Sequence, residues 1–163
     1  NETMRSYLIN YYIEEFRTTL FRQTMFAEFE MLTHKEVENG GVLTAEWMCK
    51  LYNDLNHQYF GSALAPDDYI QYEWARIPHF YRAFYVYQYA TGYSAATAIS
   101  AKILAEGEAA RKNYIEFLKS GSSNDPVELL KIAGVDMSSP EPIRMAMETF
   151  KGLVEELEQL MQA

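Results

Sequence analysis

An all-α, multi-helix bundle is the fold class this sequence predicts, and three observations predict it. Apolar residues recur at steps of three and four. No stretch of useful length alternates apolar with polar residues as a half-buried strand would. The first long run, Thr3 to Asn39, contains neither proline nor glycine. At 163 residues the chain is one domain's worth of sequence, so a single helical domain over 1–163 is expected. No internal repeat near 33 or 40 residues supports a solenoid.

The opening run carries Met4, Leu8, Tyr11, Tyr12, Phe16 and Leu20 at helical spacing and stops at Gly40 and Gly41. A helix of roughly 35 residues would be about 50 Å long. Its second half, with Leu20, Phe21, Met25, Phe26, Phe29, Met31 and Leu32, is apolar on nearly every face and is expected to have neighbours on all sides. Thr44 is a good N-cap for a second helix bearing Trp47, Met48, Leu51, Leu55 and Tyr59, which closes at Gly61. A loop from Gly61 to Asp68, containing Pro66, follows.

Proline is best tolerated in a helix's first turn, so Pro78 places the next helix start near His79. Gly92 and Ser94 are expected to break or kink that helix, with Ser94 capping the run Ala95 to Glu106. Gly107, Gly121 and Gly134 punctuate the remainder. Asp125-Pro126 opens a short helix, Val127 to Ala133, and Pro140 and Pro142 open the last one. The stripe Ile143, Met147, Phe150, Val154, Leu157 and Met161 should bury one face of that helix, leaving Glu155, Glu156 and Glu158 outside it.

The formal net charge of −9 and pI near 4.8 give no electrostatic reason to expect a nucleic-acid or anionic-membrane partner, since no cluster of Lys and Arg exists to hold phosphates. Cys49 is the single cysteine and cannot close an intramolecular disulfide, which suits a reducing, cytoplasmic setting. The chain starts at Asn1 with no basic or apolar leader pattern behind it, so it reads as a piece of something longer. Nine Phe, thirteen Tyr and two Trp are many rings for an acidic chain.

No autonomous catalytic motif is present. The histidines His34, His57 and His79 have no partner at i+4, so no H-E-x-x-H zinc helix can be drawn. No glutamate stands three residues before any histidine, which removes the di-iron bundle pattern. Cys49, amid Trp47, Met48 and Leu51, reads as a buried inert thiol. The segment Ile77 to Tyr89 is different. On a helix begun near Pro78, His79 would sit in the first turn, with Tyr81, Tyr85, Gln88 and Tyr89 down one face and Phe80, Phe84 and Tyr87 down a neighbouring one. Phenols are neutral donors on rigid rings, suited to orienting a peptide carbonyl or stabilising charge that develops on its oxygen. The plainer alternative is that these rings are core, with their hydroxyls bonded to backbone or water. In the first helix, Arg17, Arg22, Glu28 and Glu30 lie in so apolar a setting that each should have a buried or cleft-facing partner.

Three segments in order resemble the C-terminal portion of the oligoendopeptidase F group of the M3 zinc metallopeptidases, relatives of thimet oligopeptidase. They are Phe16-Arg17-Thr18-Thr19-Leu20-Phe21-Arg22-Gln23-Thr24-Met25-Phe26-Ala27-Glu28-Phe29-Glu30, then Ile77-Pro78-His79-Phe80-Tyr81 with Phe84 to Gly92, then Asp125 to Asp136. The resemblance covers nearly the whole chain. It implies a largely helical catalytic domain that cuts short peptides in a closed channel, with zinc held by an H-E-x-x-H helix and a glutamate on the helix after it. Both metal-binding helices would lie upstream of Asn1, so the fragment by itself is expected to lack metal ligands, to bind no zinc and to be inactive. What it would retain is the substrate side of the cleft. His79 is the best-matched residue there, catalytic and substrate-binding; Tyr85 is a candidate for both roles, and Tyr81 and Tyr87 are candidates for substrate binding. Apolar surface facing the missing helices would be exposed or covered by self-association. A noncatalytic helical domain whose aromatic surface binds another protein is the alternative.

Overall fold

The computed structural model describes residues 1–62, 64–65 and 67–162, so Pro66 of the expected loop lies outside the described residues. All regular elements among the described residues are helical. They are α1 (Glu2–Phe16), a π-helical turn (Arg17–Phe21), α2 (Arg22–Glu38), α3 (Ala45–Phe60), two 3₁₀ turns (Ile70–Arg76 and Pro78–Tyr81), α4 (Tyr87–Glu106), α5 (Glu108–Ser120), α6 (Pro126–Ile132) and α7 (Glu141–Gln162). The expected long opening helix is therefore present from Glu2 to Glu38, with one π turn inside it. At that turn the Thr18 hydroxyl donates to the Glu14 carbonyl at 2.8 Å, occupying an acceptor of the regular ladder. The helix stops at Gly40, whose φ of +84° only glycine adopts freely.

The chain forms two compact units, one made of residues Asn1–Leu20 with the chain from Thr91 onward, the other of Phe21–Ala90. In the first, α1 packs along α7, and Arg5 pairs with Glu156. Phe16 is completely buried and meets Tyr93 edge-on at 5.0 Å, with Tyr12 and Phe150 at 5.4 and 5.5 Å. A second cluster joins Ala95, Ala98 and Ile99 of α4 to Ala133 and Val135 at the end of α6. Small side chains on α4 let its neighbours come close. Here α4 passes through Gly92 without interruption and Ser94 is fully buried in its interior, so the expected break and cap are absent. In α7 only Pro142 and Ala146, near its start, are fully buried; the expected stripe is half-buried at Met147, Phe150, Val154 and Leu157 and exposed at Ile143 and Met161 near its ends.

In the second unit α2 packs on α3, and α3 on the first 3₁₀ turn. Met25, Phe26, Phe29, Tyr52, Leu55, Ile77 and Val86 form the core. Phe80 lies across Phe26 and Phe29 at 5.7 and 5.3 Å. Met31, however, is 53% exposed, so α2 is not enclosed on every face as its sequence suggested. Thr44 caps α3 by accepting from the Trp47 N–H at 3.2 Å. Cys49 is buried and receives the Trp74 indole N–H at 3.5 Å.

The largest departure from expectation is between Pro78 and Tyr87. The helix does not begin at His79; Pro78–Tyr81 is a single 3₁₀ turn, and α4 starts only at Tyr87. Core burial supplies the reason. Ile77, Phe80 and Val86 must all point into one cluster, yet on a straight helix Val86 would lie about 240° around the axis from Phe80. The chain breaks the helix instead, leaving at Arg82 (φ −118°, ψ +87°) and passing Phe84 at φ +57°.

Candidate functional site

The residues between Pro78 and Ala90 belong to one unit, and they bring three of the unusual side chains together. His79 comes from the 3₁₀ turn, Tyr85 from the irregular link, and Tyr89 from the first turn of α4. The imidazole of His79 stacks on the Tyr85 ring at 5.8 Å with 7° between planes. Tyr89 stands edge-on to both, at 5.8 and 5.5 Å. Its hydroxyl lies 3.3 Å from His79 Nε2 and donates to the Tyr85 hydroxyl at 3.4 Å. Both contacts are long for such bonds, so the trio is held more by its rings than by its polar atoms.

One of the two arrangements of protons that these contacts allow leaves Tyr85 with a donor to spare. A phenol has one proton, so a Tyr89 that donates to Tyr85 can only accept from His79, which requires the Nε2–H form of the imidazole. The Tyr85 proton is then left to point at something else. The bond with Tyr85 and partial desolvation hold the Tyr89 phenol above its ordinary pKa, so it remains a neutral donor at physiological pH. The Arg82 guanidinium lies over the Tyr85 ring, 4.6 Å from its centroid.

The other site candidates are placed less closely. Tyr81 is 88% exposed and takes part in none of these ring contacts. Tyr87, half-exposed, opens α4. Tyr89, the hub of the trio, is a residue that sequence reasoning put on the same face as Tyr85 without assigning it a role. The signal was its i+4 spacing from Tyr85, a neighbour relation that holds here although Tyr85 itself is outside the helix.

The charged residues of α2 do find partners. Arg22 and Arg76 both pair with Glu73, whose side chain is only 8% exposed, and the buried Tyr52 hydroxyl donates to the same carboxylate at 2.6 Å. Glu28 receives the Tyr59 hydroxyl at 2.7 Å. Glu30, 4% exposed, receives the backbone N–H of Phe84 at 2.7 Å. Arg17 differs from expectation: it pairs with Glu14 on the surface at 2.6 Å, where both side chains are nearly half exposed. Three of these four charges thus serve the interior, and the fourth is a solvated helix pair.

Among the described residues no three His, Cys, Asp or Glu side chains gather closely enough to hold a metal ion. His57 turns its Nδ1 to the Asn53 carbonyl at 2.8 Å, and His34 lies against the Phe84 ring at 4.6 Å. The residues present therefore do not fit a zinc site of their own. No helix among the described residues is long and apolar enough to cross a membrane.

Residues 1–149 match the sequence model described as Peptidase family M3. Oligopeptidase PepF of Bacillus subtilis (strain 168) is 53% identical over 161 residues, which is 99% of this chain and 24% of that protein. The plasmid-encoded Oligoendopeptidase F of Lactococcus lactis subsp. cremoris is 46% identical over 155 residues, 95% of this chain and 26% of that one. The chain thus spans about a quarter of the length of these curated relatives. In structure it is similar to the crystal structure of oligoendopeptidase-F from Enterococcus faecium, with a TM-score of 0.96 and 46% identity over 99% of this chain and 31% of that one.

Proposed function

The chain belongs to peptidase family M3, and from this we propose that it is the C-terminal, substrate-side part of a zinc metalloendopeptidase that hydrolyses short peptides in the cytoplasm. The zinc of the full-length enzyme would be held by residues outside this chain. What this chain contributes is orientation and hydrogen-bond donation. His79, Tyr85 and Tyr89 form a directed chain of donors that ends on the Tyr85 hydroxyl, and its unspent proton would go to the carbonyl of the scissile peptide. As that carbonyl becomes a tetrahedral oxyanion the bond strengthens, which lowers the barrier without raising ground-state affinity. His79 stacks flat on Tyr85, fixes its ring and supplies the first proton of the relay. Tyr81 and Tyr87, exposed on the same segment, would contact the peptide.

The observation that carries this reading is the convergence of the His79, Tyr85 and Tyr89 rings, with their polar atoms 3.3–3.4 Å apart. Removing one oxyanion donor typically costs about 10²- to 10³-fold in kcat. In the full-length enzyme, Tyr85→Phe and His79→Ala should therefore lower kcat for a quenched fluorogenic peptide by about that order, with the zinc content of both variants close to wild type. Wild-type kcat in both variants would remove the assigned roles. The 163-residue chain alone should bind no zinc tightly and cleave no peptide; a zinc-dependent activity in it would overturn the division of labour proposed here.

A further inference from the structure

We propose that Glu30 is a positioning residue for this site: its buried carboxylate latches the backbone N–H of Phe84, and this latch keeps the 82–86 link in the left-handed turn that sets Tyr85 on His79. The inference rests on the reading of Tyr85 given above.

Phe84 is the only described non-glycine residue with positive φ, at 57°. For a bulky L-residue that conformation is disfavoured by the close approach of Cβ to the following carbonyl oxygen, so something must hold it. Its own side chain is not enough, being 53% exposed with the His34 ring as its aromatic neighbour. The restraint visible in the structure is the charge-assisted bond from its N–H to Glu30 Oε1, 2.7 Å long and spanning 54 residues of sequence.

The argument also runs from the side of Glu30. A carboxylate that is 4% exposed has been taken out of water at considerable cost, and among the described residues no Lys or Arg pairs with it. Its side-chain hydrogen bond goes to Phe84. Immediately after Phe84 the chain delivers Tyr85 to the His79 ring and then anchors through Val86, which is completely buried. Locally the turn is closed by a bond of 3.2 Å from the Tyr85 N–H to the Arg82 carbonyl, which does not involve the Phe84 amide. Without the latch, Phe84 is free to return to negative φ, which re-aims the Tyr85 ring while leaving its chemistry intact. A displacement of about 1 Å in a positioned group costs on the order of a hundredfold in rate.

The test uses the full-length enzyme. In the wild type, the Phe84 amide should exchange with deuterium far more slowly than the amide of its exposed neighbour Ala83; exchange as fast as that would overturn the latch without any variant being made. Glu30→Leu, which removes the acceptor at similar volume, should speed that exchange and lower kcat by about tenfold or more. Glu30→Gln keeps an acceptor oxygen and should retain most of the activity and the slow exchange. Adding Phe84→Gly to Glu30→Leu should recover part of the lost kcat, because glycine adopts positive φ without being held. If Glu30 acts through Tyr85, Glu30→Leu should lower kcat much less in a Tyr85→Phe background than in the wild type. Equal losses in both backgrounds would make Glu30 a structural residue only. Wild-type activity of Tyr85→Phe alone would instead defeat the assignment of Tyr85, leaving the exchange measurement to decide the latch by itself.

Discussion

Glu73 shows how a buried charge is tolerated in this protein. Two guanidiniums and a phenol converge on one carboxylate, so removing the carboxylate leaves Arg22 and Tyr52 facing each other without an acceptor. Glu73→Ala should destabilise the protein by about 3 kcal/mol, the range for breaking a buried ion pair, read from the midpoint of urea unfolding. The same cluster predicts a pH dependence. Burial, and then the hydrogen bond to Glu73, push the Tyr52 phenol far above its ordinary value; burial does the same to Tyr59 and Tyr93. In the unfolded chain these phenols ionise near pH 10, while the folded ones keep their protons to higher pH. The unfolded state then binds fewer protons, so stability is intact below about pH 10 and falls as pH rises above it. Unfolding midpoints between pH 8 and 11 should show this decline, and Tyr52→Phe should make it shallower. A pH-independent midpoint across that window would contradict it.

Several element ends rest on one residue each. The Thr44 cap on α3 is a conventional side-chain acceptor, and Thr44→Ala should cost about 1 kcal/mol in thermal unfolding. The end of α6 is more demanding. Gly134 donates to the Lys131 carbonyl at 2.9 Å and Val135 to that of Leu130 at 3.1 Å, a Schellman arrangement with Val135 turned into the core. Gly134 has φ of +78°, so Gly134→Ala should cost about 1–2 kcal/mol from backbone strain. The only close neighbour a Cβ would meet is the flexible end of Lys102, at 2.9 Å, which can move aside. Comparing the Tm of Gly134→Ala with that of Gly40→Ala, at φ +84° in the same pair of capping bonds but with nothing near it, separates strain from crowding: equal losses point to strain. These ends were legible in the sequence because capping and left-handed stops are local chemistry. The start of α4 was not, because Pro78 signalled a helix that the burial of Ile77, Phe80 and Val86 overrides.

For the chain as a whole, the net charge of −9 supplies no electrostatic attraction toward an anionic partner. The outer surface of α1 is less expected: Met4, Tyr7, Leu8 and Tyr11 are each more than half exposed. A run of that kind on an isolated chain favours association. We expect the 163-residue chain, expressed alone, to sediment as more than a monomer, and Leu8→Glu with Tyr11→Glu to shift it toward the monomer. A monomer at all concentrations would show that this surface needs no cover.

The sequence by itself determined the helical class, the positions of most helix ends, the family, and which segment holds the unusual rings. The class, the helix ends and the ring segment follow from spacing, capping and residue type within a few neighbours, and the family from the resemblance of three segments in order. Only the tertiary structure decided that His79, Tyr85 and Tyr89 meet while Tyr81 points to solvent, and that Glu30 serves Phe84. Those relations depend on which apolar side chains must reach a common core and on a hydrogen bond across 54 residues. Neither leaves a periodic trace, because a contact between distant segments is fixed by how the chain packs and not by what stands next to each residue.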